Sequence, residues 1–208
     1  MKRPKFRELR GYAFDPSLSL KIDTATINEI VYRVPWEENL SRGPVGECVE
    51  VIDFDPTVNK FYAPVDLNDR YALAMAGLDP SKSNPQFHQQ MVYAVAMTTI
   101  RNFELALGRK VLWAPRRKKG NTDEYVPRLR IYPHALREAN AYYSPEKKAL
   151  LFGYFQAMPA DKTRHMPHAL VFTCLGHGII AHETTHAILD GMYPYYNEPS
   201  NPDVLAFH

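Results

Sequence analysis

The sequence predicts an α+β fold, and three observations carry that prediction. Segments rich in β-branched and aromatic residues, bounded by Pro and Gly, lie on both sides of one uninterrupted helical stretch at 85–107. At 1.5 Å per residue that stretch reaches about 34 Å, enough to run through the centre of a domain. A second helical stretch carries AHETTHAILD (181–190), which sets His182, Glu183 and His186 in the frame His-Glu-x-x-His. Hydrophobic residues make up 45% and charged residues 23% of the 208, an ordinary globular composition that excludes disordered and fibrous classes.

In chain order, residues 1–27 mix charge, Pro and Gly without a period and read as an arm or irregular lead-in. INEIVYRVPW (28–37) and ECVEVIDFD (47–55) read as strands. VDLNDRYALAMAG (65–77) reads as a short helix with Asp66 as its cap and Gly77 as its stop. The long helix opens on Asn84 as N-cap with Pro85 in the first position, and closes at Gly108. KVLWA (110–114) and RLRIY (128–132) read as strands. NAYYSPEKKALLFGYF (140–155) reads as a hairpin whose turn is Ser144-Pro145-Glu146-Lys147. ALVFTC (169–174) is a further strand, and 176–192 a helix ending near Gly191. The expected division is a β-rich lead-in over 1–60 followed by a main unit over 61–208.

A net charge of +2 is too small to imply nucleic acid, and the basic run Arg116-Arg117-Lys118-Lys119 has no interleaved aromatics, so it reads as a solvated loop. No apolar run approaches a membrane span or a signal sequence, and Cys48 and Cys174 lie far from any metal-type spacing. These features point to a reducing, cytoplasmic setting without membrane or nucleic-acid partners.

The motif has a chemical reading because residues four apart lie one helical turn above each other, so both imidazoles can reach one ion. Zinc suits such donors, and Glu183 would act as general base on a metal-activated water. The competing reading is a buried helix with two satisfied histidines. Among the others, His88 reads as structural or exposed, His134, His165 and His168 as bystanders, and His177 as a helix cap. Asp190, near a helix C-terminus that disfavours negative charge, calls for a compensating partner.

The hairpin at 140–155 and the order of long helix, hairpin and AHETTH helix resemble the thermolysin-like metallopeptidases, the gluzincins. The resemblance covers roughly residues 85–208. It implies a zincin-like mixed sheet, with the His182/Glu183/His186 helix below an edge strand and a peptide or protein substrate running antiparallel to that strand. It also implies that backbone groups near Asn140 and Ala141 bind substrate, and that Tyr195 polarises the scissile carbonyl, with Tyr196 a competitor for that role. In that family the third zinc ligand is a downstream glutamate. The stretch from Ser200 to His208 starts a helix and stops after about two turns, so the expectation is a fragment lacking that ligand and a helical C-terminal subdomain, with Glu198, Asp203 and His208 as weak substitutes. The expected function is zinc-dependent peptide hydrolysis, weak in this chain; the alternative is a non-catalytic peptide- or protein-binding module that keeps the motif as a relic.

Overall fold

Residues 6–12 form a strand, contrary to the expectation of an irregular lead-in. The computed structural model describes residues 4–20, 22–117, 123–157, 169–193 and 196. In it β1 (Phe6–Tyr12) pairs antiparallel with β2 (Glu29–Pro35), Phe6 opposite Pro35 and Tyr12 opposite Glu29. The two-residue period of β1 is hidden in the sequence because one of its inward positions is a charge. Arg7 is fully buried, its guanidinium stacked 4.3 Å over Trp36 and bonded to the carbonyl of Leu67 and, at 2.7 Å, to Asn68 Oδ1. Stacking and hydrogen bonding together make a buried guanidinium tolerable. Between the two strands lie a 3-10 turn (Pro16–Leu20), α1 (Ile22–Ala25) and a second 3-10 turn (Thr26–Asn28).

The segment 47–55 divides into β3 (Val49–Val51) and β4 (Phe54–Asp55), the latter paired with β5 (Lys60–Phe61). The short helix α2 (Arg70–Ala74) starts later than expected. Its cap is Asp69, whose Oδ1 accepts from Tyr71 N and Ala72 N, whereas Asp66 accepts from Asn68 N and Arg42 in the preceding loop. Gly77 follows with φ of 85°, the left-handed region that a stop there requires.

The central helix α3 (Pro85–Leu107) has the ends its sequence announced: Asn84 accepts from Gln86 N at 3.0 Å, and Gly108 is left-handed with φ of 66°. From Phe87 to Met97 every residue is buried, because the helix is covered by β1 and β2, β3, β8 and α4 together. Burying a side chain such as Phe87 or Met91 contributes on the order of 1.5–3 kcal/mol.

After α3, β6 (Arg116–Arg117) pairs with β7 (Asp123–Glu124). The basic run thus begins in a short strand, while Lys118 and Lys119 lie outside the described residues. Residues 110–114 are not a strand. They are held by side chains instead, with Trp113 Nε1 donating to Cys48 O at 2.9 Å.

The main sheet contains β8 (Leu129–Leu136), β9 (Ala141–Ser144), β10 (Ala149–Gln156) and β11 (Leu170–Phe172), in the order β11-β10-β8-β3 with β9 also on β10. It is mixed: β8 runs parallel to β3 and β10, while β9 and β11 run antiparallel to β10. The expected hairpin is present, Ala141 opposite Phe152 and Ser144 opposite Ala149. β9 covers the first half of β10 and β11 the second half. At the junction an added Cβ on Gly153 would lie 2.7 Å from the carbonyl oxygen of Asn140, so only glycine fits. A 3-10 turn (Thr173–Leu175) then leads from β11 into α4 (His177–Met192). The architecture is mixed α+β with one long helix. Its core cluster extends in sequence from Leu9 to Ile188.

Candidate metal centre on helix α4

Helix α4 buries Ile180, Glu183, Thr184, Ala187 and Ile188, the i, i+3, i+4 stripe of a helix lying on a core. That phase turns His182 outward, exposed, and leaves His186 half-buried one turn further on. Their Nε2 atoms approach to 3.0 Å, with the rings nearly perpendicular at 84°. Two nitrogens each about 2.0–2.1 Å from a tetrahedral zinc stand roughly 3.3 Å apart, so a few tenths of an ångström of opening admits the ion. As a donor set, the pair fits zinc.

Glu183 is 8% exposed, beneath the hairpin, where its Oε2 accepts from Tyr143 N at 2.8 Å. Burial pushes its carboxyl above the usual carboxylate range, opposed by the Tyr143 N–H and the neighbouring His182. Register explains why Tyr143 is available. Antiparallel pairing lets alternate residues of β9 bond β10, so Ala141 and Tyr143 turn their N–H groups away from it. Glu183 takes one of these donors. The other, Ala141 N–H, is held by Asn140 Oδ1 at 2.9 Å, while Asn140 O accepts from Gly153 N. Among the described residues no strand pairs with the outer edge of β9.

Both ends of α4 are tied down. Asp190 has the partner its position called for, and the arrangement is buried: Oδ2 accepts from Tyr143 Oη at 2.6 Å and from Lys148 Nζ at 2.7 Å. Glu183 and Asp190, seven residues apart on one face, therefore clamp the hairpin to the helix. At the other end the N-cap is Gly176, so His177 is not a cap. Instead His177 stacks on Tyr32, with Nδ1 2.7 Å from Tyr32 Oη. Tyr32 donates its own proton to Tyr12 O, so Nδ1–H is the donor to Tyr32. Gly191 lets the helix approach Leu112 and Ala114, where an added Cβ would lie 3.3 Å from Ala114 N.

Tyr195, His165, His168, Glu198, Asp203 and His208 lie outside the described residues, whereas Tyr196 is described, 5.4 Å ring to ring from Tyr193. Among the described residues one group of three or more His, Cys, Asp or Glu side chains could hold a metal ion, and it is not on α4. It is His88, His134 and Cys174, with ligand atoms within 4.8 Å of one another. All three are buried. Against the expectation of a structural or exposed His88, a bystander His134 and a Cys174 without metal-type spacing, the three meet once α3, β8 and the turn before α4 are assembled, a meeting that no motif spacing announces.

No family model, curated protein or solved structure matches the chain. None of the described helices is long and apolar enough to cross a membrane.

Proposed function

We propose that the chain is a zinc-dependent metallopeptidase of gluzincin type and zincin-like fold. The observation that carries this reading is the convergence of His182 and His186 Nε2, with Glu183 beside them and bonded to β9, whose outer edge pairs with no strand among the described residues. Zinc on the two histidines would supply a Lewis acid and draw the pKa of its bound water toward neutrality. Glu183 Oε2 is occupied by Tyr143 N–H, which makes Oε1 the atom that takes and returns a proton. The outer edge of β9 would receive an extended peptide by strand addition, a mode in which main-chain hydrogen bonds supply affinity. Asn140 Oδ1 would have to leave Ala141 N–H for that bond to form.

The test is hydrolysis of a quenched-fluorescent peptide library by the full chain, with metal content measured in parallel. Glu183→Gln should keep the metal and lower the rate by about 10²–10⁴-fold, the usual contribution of a positioned base. His182→Ala should lose one zinc and the activity. Zinc-dependent cleavage that survives His182→Ala would overturn the proposal. Peptide binding without cleavage by the wild type would assign the chain to the non-catalytic class instead.

A further inference from the structure

We infer that His88, His134 and Cys174 supply three ligands of a second zinc site, buried behind the turn that starts α4 and separate from the α4 histidines. The first observation is how the two rings are held. His88 Nδ1 and His134 Nε2 face each other at 2.8 Å, while each ring's other nitrogen is already engaged: His88 Nε2 lies 3.1 Å from Lys82 O, and His134 Nδ1 lies 2.6 Å from Asp53 Oδ1. Metal-binding histidines have this arrangement, one nitrogen toward the ion and the other N–H given to a carbonyl or carboxylate. Asp53 is itself fixed, since Oδ2 accepts from Gln89 Nε2 at 2.8 Å, and Gln89 Oε1 accepts from Val65 N. The outer hydrogen bonds of a metal site are thus complete around an inner position that holds only a shared proton.

Proton counting shows what the ion would replace. Lys82 O can only accept, so His88 Nε2 carries a proton. Its Nδ1 is then a lone pair, and the proton between the rings belongs to His134 Nε2. One further proton lies between His134 Nδ1 and Asp53, an arrangement with no net charge. Cys174, a free and buried cysteine, offers its thiol as the third donor. A divalent ion displaces the inter-ring proton and the thiol proton. Counting Zn²⁺, the Cys174 thiolate and the Asp53 carboxylate, the site is again neutral, which a low-dielectric interior requires. A monovalent ion such as Cu⁺ would leave one negative charge buried, so charge selects the divalent ion that sulfur and imidazole both bind well.

The geometry needs modest closure. Zinc–nitrogen and zinc–sulfur distances of about 2.1 and 2.3 Å call for the two nitrogens to part by roughly 0.5 Å and for the sulfur to lie about 3.6 Å from each. The ligand atoms stand within 4.8 Å of one another, walled by Phe172, Tyr154 and Tyr62. Such an ion would fasten α3, β8 and the Thr173–Leu175 turn, which fixes where α4 begins.

X-ray absorption at the zinc edge tests this on a His182→Ala/His186→Ala variant refolded with zinc, so that the α4 pair cannot contribute. The expected result is one zinc per chain with one sulfur and two imidazole nitrogens, and two protons released per ion bound. Cys48→Ala should keep the sulfur signal, and Cys174→Ser should lose it. If Cys174→Ser does not fold, Cys48→Ala decides alone, because a sulfur scatterer that persists in it can come from no thiol but Cys174. Zinc-free protein, or zinc with no sulfur neighbour, would overturn the inference without touching the peptidase proposal. A wild type that holds the sulfur-bound zinc yet cleaves no peptide would do the reverse.

Discussion

Replacing Asp190 by alanine tests whether the hairpin is clamped to α4 as the structure indicates. The carboxylate is nearly dry, with side-chain exposures of 6% for Asp190 and 10% for Lys148, and one oxygen accepts from both Lys148 Nζ and Tyr143 Oη. Removing it leaves an ammonium without its counter-charge and a phenol without its acceptor. Breaking a buried pair in this way costs about 3–5 kcal/mol. For a chain of this size each kcal/mol lowers Tm by about 2–4 °C, so a drop of roughly 6–20 °C is expected. The assay is urea and thermal unfolding of Asp190→Ala, Lys148→Met and the double variant. In the double variant no charge is stranded, although the Tyr143 hydroxyl still lacks its acceptor, so it should be more stable than the sum of the single losses predicts, by about 2 kcal/mol or more. Single losses under about 1 kcal/mol that add within about 0.5 kcal/mol would refute the clamp, because independent sites add to that accuracy.

Gly153→Ala puts a methyl group 2.7 Å from Asn140 O, against the backbone that leads into β9, and should cost about 2 kcal/mol or more in urea; a loss under about 0.5 kcal/mol would show that the junction yields. His177→Phe keeps the stack on Tyr32 and removes the titration. Burial depresses the folded pKa of His177 below 6.5, so its contribution is whole above pH 6.5 and is lost as pH falls through the folded value; the wild type should therefore lose stability relative to the variant on acidification, and parallel pH profiles would contradict this. A non-cleavable extended peptide should slow amide exchange at Ala141, and more strongly in Asn140→Ala, where the competing Oδ1 is gone; unchanged exchange in both proteins would end the strand-addition idea.

Local chemistry explains which elements were legible. The ends of α3 follow from Asn84, Pro85 and Gly108, and the β9–β10 hairpin follows from Ser144-Pro145 between two apolar runs. In both cases the signal lies within a few residues of the structure it specifies. β1 was missed because Arg7 occupies an inward position, and its burial depends on Trp36, Leu67 and Asn68, none of them local. Residues 110–114 are not a strand for the opposite reason: Val111, Trp113 and Ala114 are buried as a strand's would be, but among the described residues no strand pairs with them.

The candidate sites divide along the same line. A four-residue spacing on a helix is fixed by the helix itself, so the sequence alone determined that His182 and His186 share a face and that Glu183 stands beside them. Only the tertiary structure decided that Glu183 is buried against Tyr143 N–H, that among the described residues no strand pairs with the outer edge of β9, and that Asp190 is held by Lys148 and Tyr143. The meeting of His88, His134 and Cys174 belongs wholly to the tertiary structure. Each comes from a different element, and no periodicity along a chain records which of its elements will lie side by side.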